Sequence, residues 1–214
     1  MARGRKVNSN GERSKQLLLE KALELFSEKG YHDTKISDIV KAANVTQPTF
    51  YLYFESKDSL YNDLNERFQR GFNEIMSKQS EEVEKGLEGF VRELKQKIHM
   101  LFVYIIENPK ITKIGLFESE QSLVVKSQLT QQFTHLIHRY DCAHELQSFC
   151  TDIHIIVDSF VGSFERLILT NLLEQKKQPC ELASDLVHLY FFREVNTNIS
   201  QAEKKITNSS HHLR

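Results

Sequence analysis

The chain has 214 residues, 40% of them hydrophobic, and a formal net charge of −1, so it is long enough to bury a core of its own. It contains three prolines and eight glycines. Apolar residues recur at helical spacing, and no convincing strand-like alternation is present, which favours an all-α protein over a β-sheet fold. The near-neutral total charge does not exclude a nucleic-acid partner, because residues 1–15 contain five basic residues and one acidic residue.

Residues 1–12 are predicted to form a flexible basic arm. Arg3, Arg5 and Lys6 suit a narrow A·T-rich minor groove, where the negative potential is enhanced. The alternative is a solvated terminus that adds only general attraction to phosphates.

Residues 13–60 predict a three-helix unit of the helix-turn-helix type. Residues 14–29 have the apolar spacing of an amphipathic helix, and Gly30 is a common helix C-terminal signal. Thr34 is predicted to cap a short second helix. Asn44 tolerates the left-handed conformation that a tight turn between helices requires.

A third helix is predicted to begin after Thr46, which is a good N-cap, with Pro48 in the first turn. Phe50 and Phe54 are four residues apart, so one face can dock on a core. The remaining side chains are suited to base edges and phosphates: Gln47, Thr49, Tyr51 and Tyr53. From this pattern alone, a three-helix structural bundle without a ligand remains open.

At this point the sequence resembles the TetR family of bacterial transcriptional regulators. The resemblance covers about a quarter of the chain and is carried by these residues: Thr34, Ile36, Ile39, Ala42, Ala43, Asn44, Val45, Thr46, Thr49, Tyr51, Phe54, Lys57 and Leu60. Many members of the family have Gly where this chain has Pro48.

The resemblance implies DNA-binding roles for particular residues. Gln47, Pro48 and Thr49 would read bases. Gln47 would hydrogen-bond adenine, and Pro48 and Thr49 would contact thymine methyl groups. Leu52 would press on a thymine methyl or face the backbone. The phosphate contacts would come from the following residues, of which Lys35 could also reach a base: Thr34, Lys35, Tyr51, Tyr53 and Lys57. Thr46 would belong to the same DNA-binding group.

The remainder of the chain predicts further helices at about 57–79, 82–107, 110–117, 119–140, 149–174 and 180–195, followed by a polar tail at 197–214. The expected architecture is therefore all-α, with a helix-turn-helix domain joined to a helical effector-binding and dimerisation domain at 61–196. The last two long helices are apolar over more than one face, which indicates a partner surface. The resemblance implies a homodimer, with these interface candidates: Ser159, Ser163, Leu186, Leu189 and Tyr190.

An effector pocket is predicted among the helices of the second domain. Its candidate lining suits a lipophilic or aromatic small molecule, although ordinary core packing explains the same residues: His99, Phe102, Tyr104, Phe117, Phe133, Phe160 and Phe164.

The expected function is a DNA-binding transcriptional regulator, a repressor released from a palindromic operator by that effector. The alternative is a DNA-binding protein of the same fold that is controlled by a protein partner. Neither a catalytic motif nor a metal-ligand or cofactor-binding spacing is diagnostic, so no enzyme activity, cofactor or metal is predicted. The three cysteines and the lack of an apolar signal or span predict a cytoplasmic location without membrane attachment.

Overall fold

The computed structural model describes residues 7–78, 86–119, 122–147 and 152–191, and these contain helices and no strands. Helices α1 to α4 span Val7–Lys29, Ile36–Ala42, Gln47–Tyr51 and Lys57–Ser77. Helix α5 (Leu87–Glu107) is followed by the short helix α6 (Pro109–Thr112) and a π-helix, π1 (Lys113–Glu118). Then come α7 (Ser122–Tyr140), α8 (Ala143–Gln147), α9 (Ile153–Leu167), a second π-helix, π2 (Ile168–Leu172), and helix α10 at residues 179–191. The all-α prediction is confirmed.

The chain forms two compact units. The first unit comprises Met1–Phe72 with Asn108–Val125, and the second comprises Asn73–Glu107 with Lys126–Arg214. The first unit therefore extends beyond the predicted domain 13–60, because α6 and π1 pack against α1. None of the helices in the described ranges is long and apolar enough to cross a membrane.

The first unit has a hydrophobic core to which each of its longer segments contributes. Leu18, Ala22 and Phe26 of α1 are buried there with Ile39 of α2 and Leu64 of α4. The α1 apolar stripe repeats at the spacing of one helical face, so a single rotation of the helix buries all three of its side chains. Helices α1, α2 and α4 are thus held together as one body that presents α3.

The turns of the first unit follow the predicted backbone signals. Gly30 has φ 86° after α1, and Asn44 has φ 52° between α2 and α3, so both adopt the left-handed conformation. Thr46 caps α3, with its hydroxyl accepting from the Thr49 backbone N–H at 3.4 Å. These three predictions are confirmed.

Two boundary predictions are wrong. Helix α1 begins at Val7, so residues 7–12 are helical and do not belong to a flexible arm. The N-cap of α2 is Lys35 instead of Thr34, and the Lys35 backbone N–H donates to Asp38 Oδ2 at 3.1 Å. Arg3, Arg5, Lys6 and the tail at 197–214 lie outside the described residues.

The second unit is a helical bundle with an aromatic interior. Phe102 of α5 stacks on Phe164 of α9, with ring centroids 5.2 Å apart and ring planes within 7°. Phe133 of α7 meets Phe160 of α9 edge to face at 5.1 Å. These contacts join three long helices of the unit, and such ring pairs stabilise beyond the area they bury.

Candidate nucleic-acid interface

Helix α3 and the turn that follows it divide their side chains between the core and the solvent. Phe50 and Phe54 are buried, and their ring centroids lie 5.5 Å apart. Tyr51 is 52% exposed and Leu52 is 76% exposed. These two side chains therefore lie largely outside the core, and the outer face of α3 is open to solvent.

The other residues predicted to read bases surround the same face. Gln47 and Pro48 are exposed, and Thr49 is half-buried. The hydroxyls of Thr46 and Thr49 are 2.8 Å apart and share a hydrogen bond, so both are already oriented by the cap. The structure therefore brings together the predicted base-reading group on one short, capped helix.

Tyr53 and Lys35 differ in how the fold holds them. The Tyr53 ring is half-buried against the first unit's core. A Cβ added at Gly11 would lie 3.2 Å from the Tyr53 hydroxyl, which places that hydroxyl beside α1. Lys35 is exposed at the start of α2. Both remain predicted phosphate contacts, but only Lys35 extends freely into solvent.

The predicted phosphate contact by the Thr34 side chain is wrong for this structure. Thr34 is 0% exposed, and its hydroxyl donates to the Gly30 carbonyl at 2.8 Å. The side chain therefore secures the end of the turn that follows α1. The sequence does not distinguish these roles, because a threonine that caps a helix or binds phosphate uses the same hydroxyl.

Lys57 has a structural role that the sequence did not indicate. Its ammonium donates to the carbonyl oxygens of Tyr31 at 2.8 Å and Thr34 at 2.9 Å, and it lies 4.2 Å from the centroid of the Tyr31 ring. Lys57 thus ties the start of α4 to the segment between α1 and α2. Its predicted contact with phosphate stays a prediction.

The predicted effector and dimer residues are distributed differently from expectation. The four phenylalanines form two ring pairs, Phe102 with Phe164 and Phe133 with Phe160, and Phe117 belongs to the first unit. His99 is half-buried, and its Nδ1 atom is buried without a hydrogen-bond partner. Tyr104 is half-buried.

Among the dimer candidates, Leu189 is exposed, whereas Leu186 is buried in its own subunit, so the interface prediction for Leu186 is wrong. The Tyr190 hydroxyl donates to the Ser159 carbonyl at 2.8 Å and lies 2.7 Å from Ser163 Oγ. These polar residues therefore connect α9 to α10 within one chain.

The second unit contains a buried ion network that the sequence pattern did not predict. Lys97 is 3% exposed and Glu93 is 4% exposed. The Lys97 Nζ atom lies 3.4 Å from Glu93 Oε1. Arg139 lies 3.3 Å from the same carboxylate, and the Tyr140 hydroxyl donates to it. Burial lowers the pKa of Lys97, and burial together with the bond to Glu93 raises the pKa of Tyr140 to about 12. The i, i+4 spacing of Glu93 and Lys97 could have indicated this ion pair, but the same spacing is also typical of exposed helix faces.

Comparison with known proteins agrees with this geometry. The sequence signature described as "Bacterial regulatory proteins, tetR family" matches residues 18–64. The chain is 31% identical over 190 residues to the uncharacterized HTH-type transcriptional regulator YdgC of Bacillus subtilis (strain 168), covering 87% of this chain and 95% of that protein. It is 28% identical over 178 residues to the HTH-type transcriptional repressor DhaR of Mycobacterium sp. (strain GP1), covering 78% and 86%.

A solved structure shows the same fold over most of the chain. The crystal structure of a TetR-like transcriptional regulator from Rhodococcus sp. RHA1 superimposes with a TM-score of 0.67 and 20% identity, covering 83% of this chain and 93% of that one. The signature on α1 to α4, the near full-length relative and the shared helical architecture lead to one conclusion: this chain is a transcriptional regulator of the TetR family.

Proposed function

We propose that the protein is a homodimeric repressor that binds a palindromic operator through α3 and is released by a small effector. The observation that carries the DNA-binding part is the exposed face of α3, on which Gln47, Pro48, Tyr51 and Leu52 stand away from the core. A helix of five residues offers few contacts, so a two-fold dimer that doubles them supplies the specificity.

Each exposed residue of α3 has a chemistry that suits duplex DNA. Gln47 can bond adenine through two atoms, and the exposed Leu52 side chain can meet a thymine methyl. The Tyr51 hydroxyl is suited to a phosphate oxygen. Positive charge on and beside α2 comes from Lys35 and Lys41, which are both exposed.

The dimer surface is proposed on the outer faces of α9 and α10. Ile155 and Leu189 are large apolar residues that lie exposed there. Gly162 is exposed on α9, and a Cβ added to it would meet nothing within 4 Å in the chain. A surface that combines exposed apolar residues with a glycine allows close approach by a second copy.

Selection of bound sequences from a random DNA pool at about 0.15 M salt tests the DNA-binding proposal. We expect a palindrome, and we expect Gln47→Ala to lose affinity by roughly 1–3 kcal/mol at one base position of each half-site. Gln131→Ala is the matched control, since Gln131 is exposed on α7. Equal affinities of the two variants for the selected site would contradict the role given to Gln47.

The filled aromatic interior favours a second candidate, the same DNA-binding function under the control of a protein partner. The space bounded by Phe133 and Phe160 is about 10 Å³, close to the least that holds one water molecule. A further cavity of about 160 Å³ lies beside Lys97, Glu93 and Arg139. Sites for drug-sized ligands are about 300–1,000 Å³, so an effector of that size would have to displace side chains to enter either of these two spaces.

Operator release separates the two candidates. A preformed complex of the protein and its selected operator is treated with the low-molecular-weight ultrafiltrate of a cell extract, and in parallel with the retained fraction. Release by the ultrafiltrate is the result expected for a small effector. Release confined to the retained fraction, and abolished by prior protease treatment of that fraction, would favour the protein partner.

A further inference from the structure

We propose that a cleft in the first unit is a binding site for a small organic cation, an ammonium group on an apolar or aromatic body. The cleft has a volume of about 590 Å³ and lies between the end of α1, the first half of α4 and the end of π1. All of its lining residues belong to the first unit, and none of them belongs to α3. The inference does not depend on the proposed repressor function.

Two buried polar atoms in the cleft lining have no hydrogen-bond partner. Asn65 is 1% exposed and Ser119 is 5% exposed, and neither Asn65 Oδ1 nor Ser119 Oγ is bonded. Leaving such an atom unsatisfied costs about 1–3 kcal/mol, and native proteins contain few examples. Asn65 Oδ1 can only accept, so the missing partner is a hydrogen-bond donor.

The negative charge of the lining favours a ligand whose hydrogen-bond donor is positively charged. The cleft is lined by nine residues, which include the carboxylates of Asp58 and Glu118, one histidine, His32, and no lysine or arginine. Asp58 accepts from the Tyr31 hydroxyl, and Glu118 pairs with Lys113 at 3.1 Å. An ionised carboxylate has about four lone-pair sites, so these bonds leave each group able to accept from a ligand. An anionic ligand would meet two like charges.

The aromatic side chains of the cleft suit the body of such a ligand. Tyr31 and Tyr61 have ring centroids 4.6 Å apart, and both line the cleft. Burial, and then the nearby Glu118 carboxylate, raise the pKa of Tyr61, so the phenol stays neutral beside the acid. The Lys57 ammonium already lies over the Tyr31 ring, which shows that cation–π contact is used beside the cleft.

The end of π1 contributes to the site by an unusual backbone. Six residues, Lys113–Glu118, form a π-helix that ends at Ser119. Such segments are rare and are frequently found at functional sites. Here the π-helix brings the Glu118 carboxylate and the Ser119 hydroxyl to the same cleft as Asn65 of α4. Carboxylate, amide oxygen and hydroxyl together match the three donors of a primary ammonium group.

The test uses the full-length protein without DNA and three probes of similar size: 2-phenylethylammonium, neutral 2-phenylethanol and anionic phenylacetate. Titration calorimetry or ligand-observed NMR gives each dissociation constant. We expect saturable binding of the cation, with a dissociation constant at least about tenfold below that of either analogue. A charge-assisted hydrogen bond supplies a difference in binding free energy of this size. Glu118→Gln and Asn65→Leu should each weaken the cation by about tenfold.

Glu66→Gln, on the exposed face of α4, is the matched control and should bind the cation as the unaltered chain does. Glu118→Gln changes an exposed side chain, and Asn65→Leu removes an unsatisfied atom, so the fold is expected to tolerate both. The inference is overturned if the cation shows no saturable binding, if phenylacetate or 2-phenylethanol binds as tightly, or if neither variant weakens the cation.

Discussion

Replacing Lys97 by methionine tests the buried ion network of the second unit. The Lys97 ammonium donates to the Met76 carbonyl at 2.8 Å and to the Lys78 carbonyl at 2.5 Å, and it lies 3.4 Å from the Glu93 carboxylate. It therefore satisfies the C-terminal end of α4, where helix carbonyls lack intrahelical donors. Methionine keeps a similar length but removes the charge and all three donors.

The expected loss of stability is about 2–3 kcal/mol. The Met76 carbonyl is left buried without a donor, which costs about 1–3 kcal/mol, and the part-buried Lys78 carbonyl costs less. Glu93 keeps Arg139 at 3.3 Å and the Tyr140 hydroxyl, so its charge stays compensated. Relief from burying an ammonium group offsets part of the loss, because desolvation already lowers the pKa of Lys97.

The same substitution should change how stability depends on pH. The pKa of Lys97 is lowered on folding from its ordinary value of 10.5, so between the two pKa values the unfolded chain binds more protons than the folded chain. The free energy of unfolding contributed by this group therefore rises with pH up to about 10.5. Lys97→Met should remove that rise.

Urea denaturation followed by helical circular dichroism measures both effects. Lys95→Met is the control, because Lys95 lies exposed on the same helix and should change stability by no more than about 0.5 kcal/mol. If Lys97→Met were as stable as Lys95→Met and kept the same pH dependence, the network would contribute nothing to the second unit, and its interpretation as a helix-end support would be refuted.

Three further substitutions have defined outcomes. Thr34→Val should lower the free energy of unfolding by about 0.5–1.5 kcal/mol in urea denaturation, because the bond to the Gly30 carbonyl is lost. It should leave the salt dependence of DNA affinity unchanged, and a weaker salt dependence would support a phosphate contact by Thr34. Gly115→Ala should cost about 1–3 kcal/mol because the new Cβ would overlap the Phe68 ring. In a double-mutant cycle, Phe68→Ala should recover part of this cost because alanine lacks the Cγ and Cδ1 atoms that the new Cβ would meet, and additive costs would contradict the overlap. Tyr140→Phe should remove the tyrosine that ionises near pH 12 in spectrophotometric titration, and an unchanged curve would contradict its buried bond to Glu93.

The first unit was predictable where a residue's own backbone preference decides the structure. Gly30 and Asn44 take the left-handed conformations that the sequence indicated, and Thr46 caps α3. These preferences act over one to three residues, so no knowledge of the tertiary fold is needed. The outward face of α3 also followed from the spacing of Phe50 and Phe54, since two buried rings fix the rotation of a short helix.

The second unit was less predictable because both faces of its last helices are apolar. Leu186 and Leu189 are three residues apart and equally hydrophobic, yet Leu186 is buried and Leu189 is exposed. Helical spacing places them near the same face, and the packing of α10 against its neighbours decides which one enters the core. The two π-helices also escaped prediction, because an inserted residue leaves no distinct pattern in the apolar spacing.

Thr34 and Lys57 show why a family motif identifies a surface more reliably than it assigns each contact. Both belong to the signature of a DNA-binding helix-turn-helix, and both have groups that suit a phosphate. In the structure, Lys57 donates to the carbonyl of Thr34 itself, while the Thr34 hydroxyl donates to Gly30. The two residues thus form a chain of bonds that fixes the segment before α2. A recognition surface has to be held rigidly to discriminate bases, because a loosely held group adapts to the wrong base as readily as to the right one. The motif therefore includes residues that position α3, and the exposed side chains of Gln47, Tyr51 and Leu52 are the ones left for the proposed contacts with DNA.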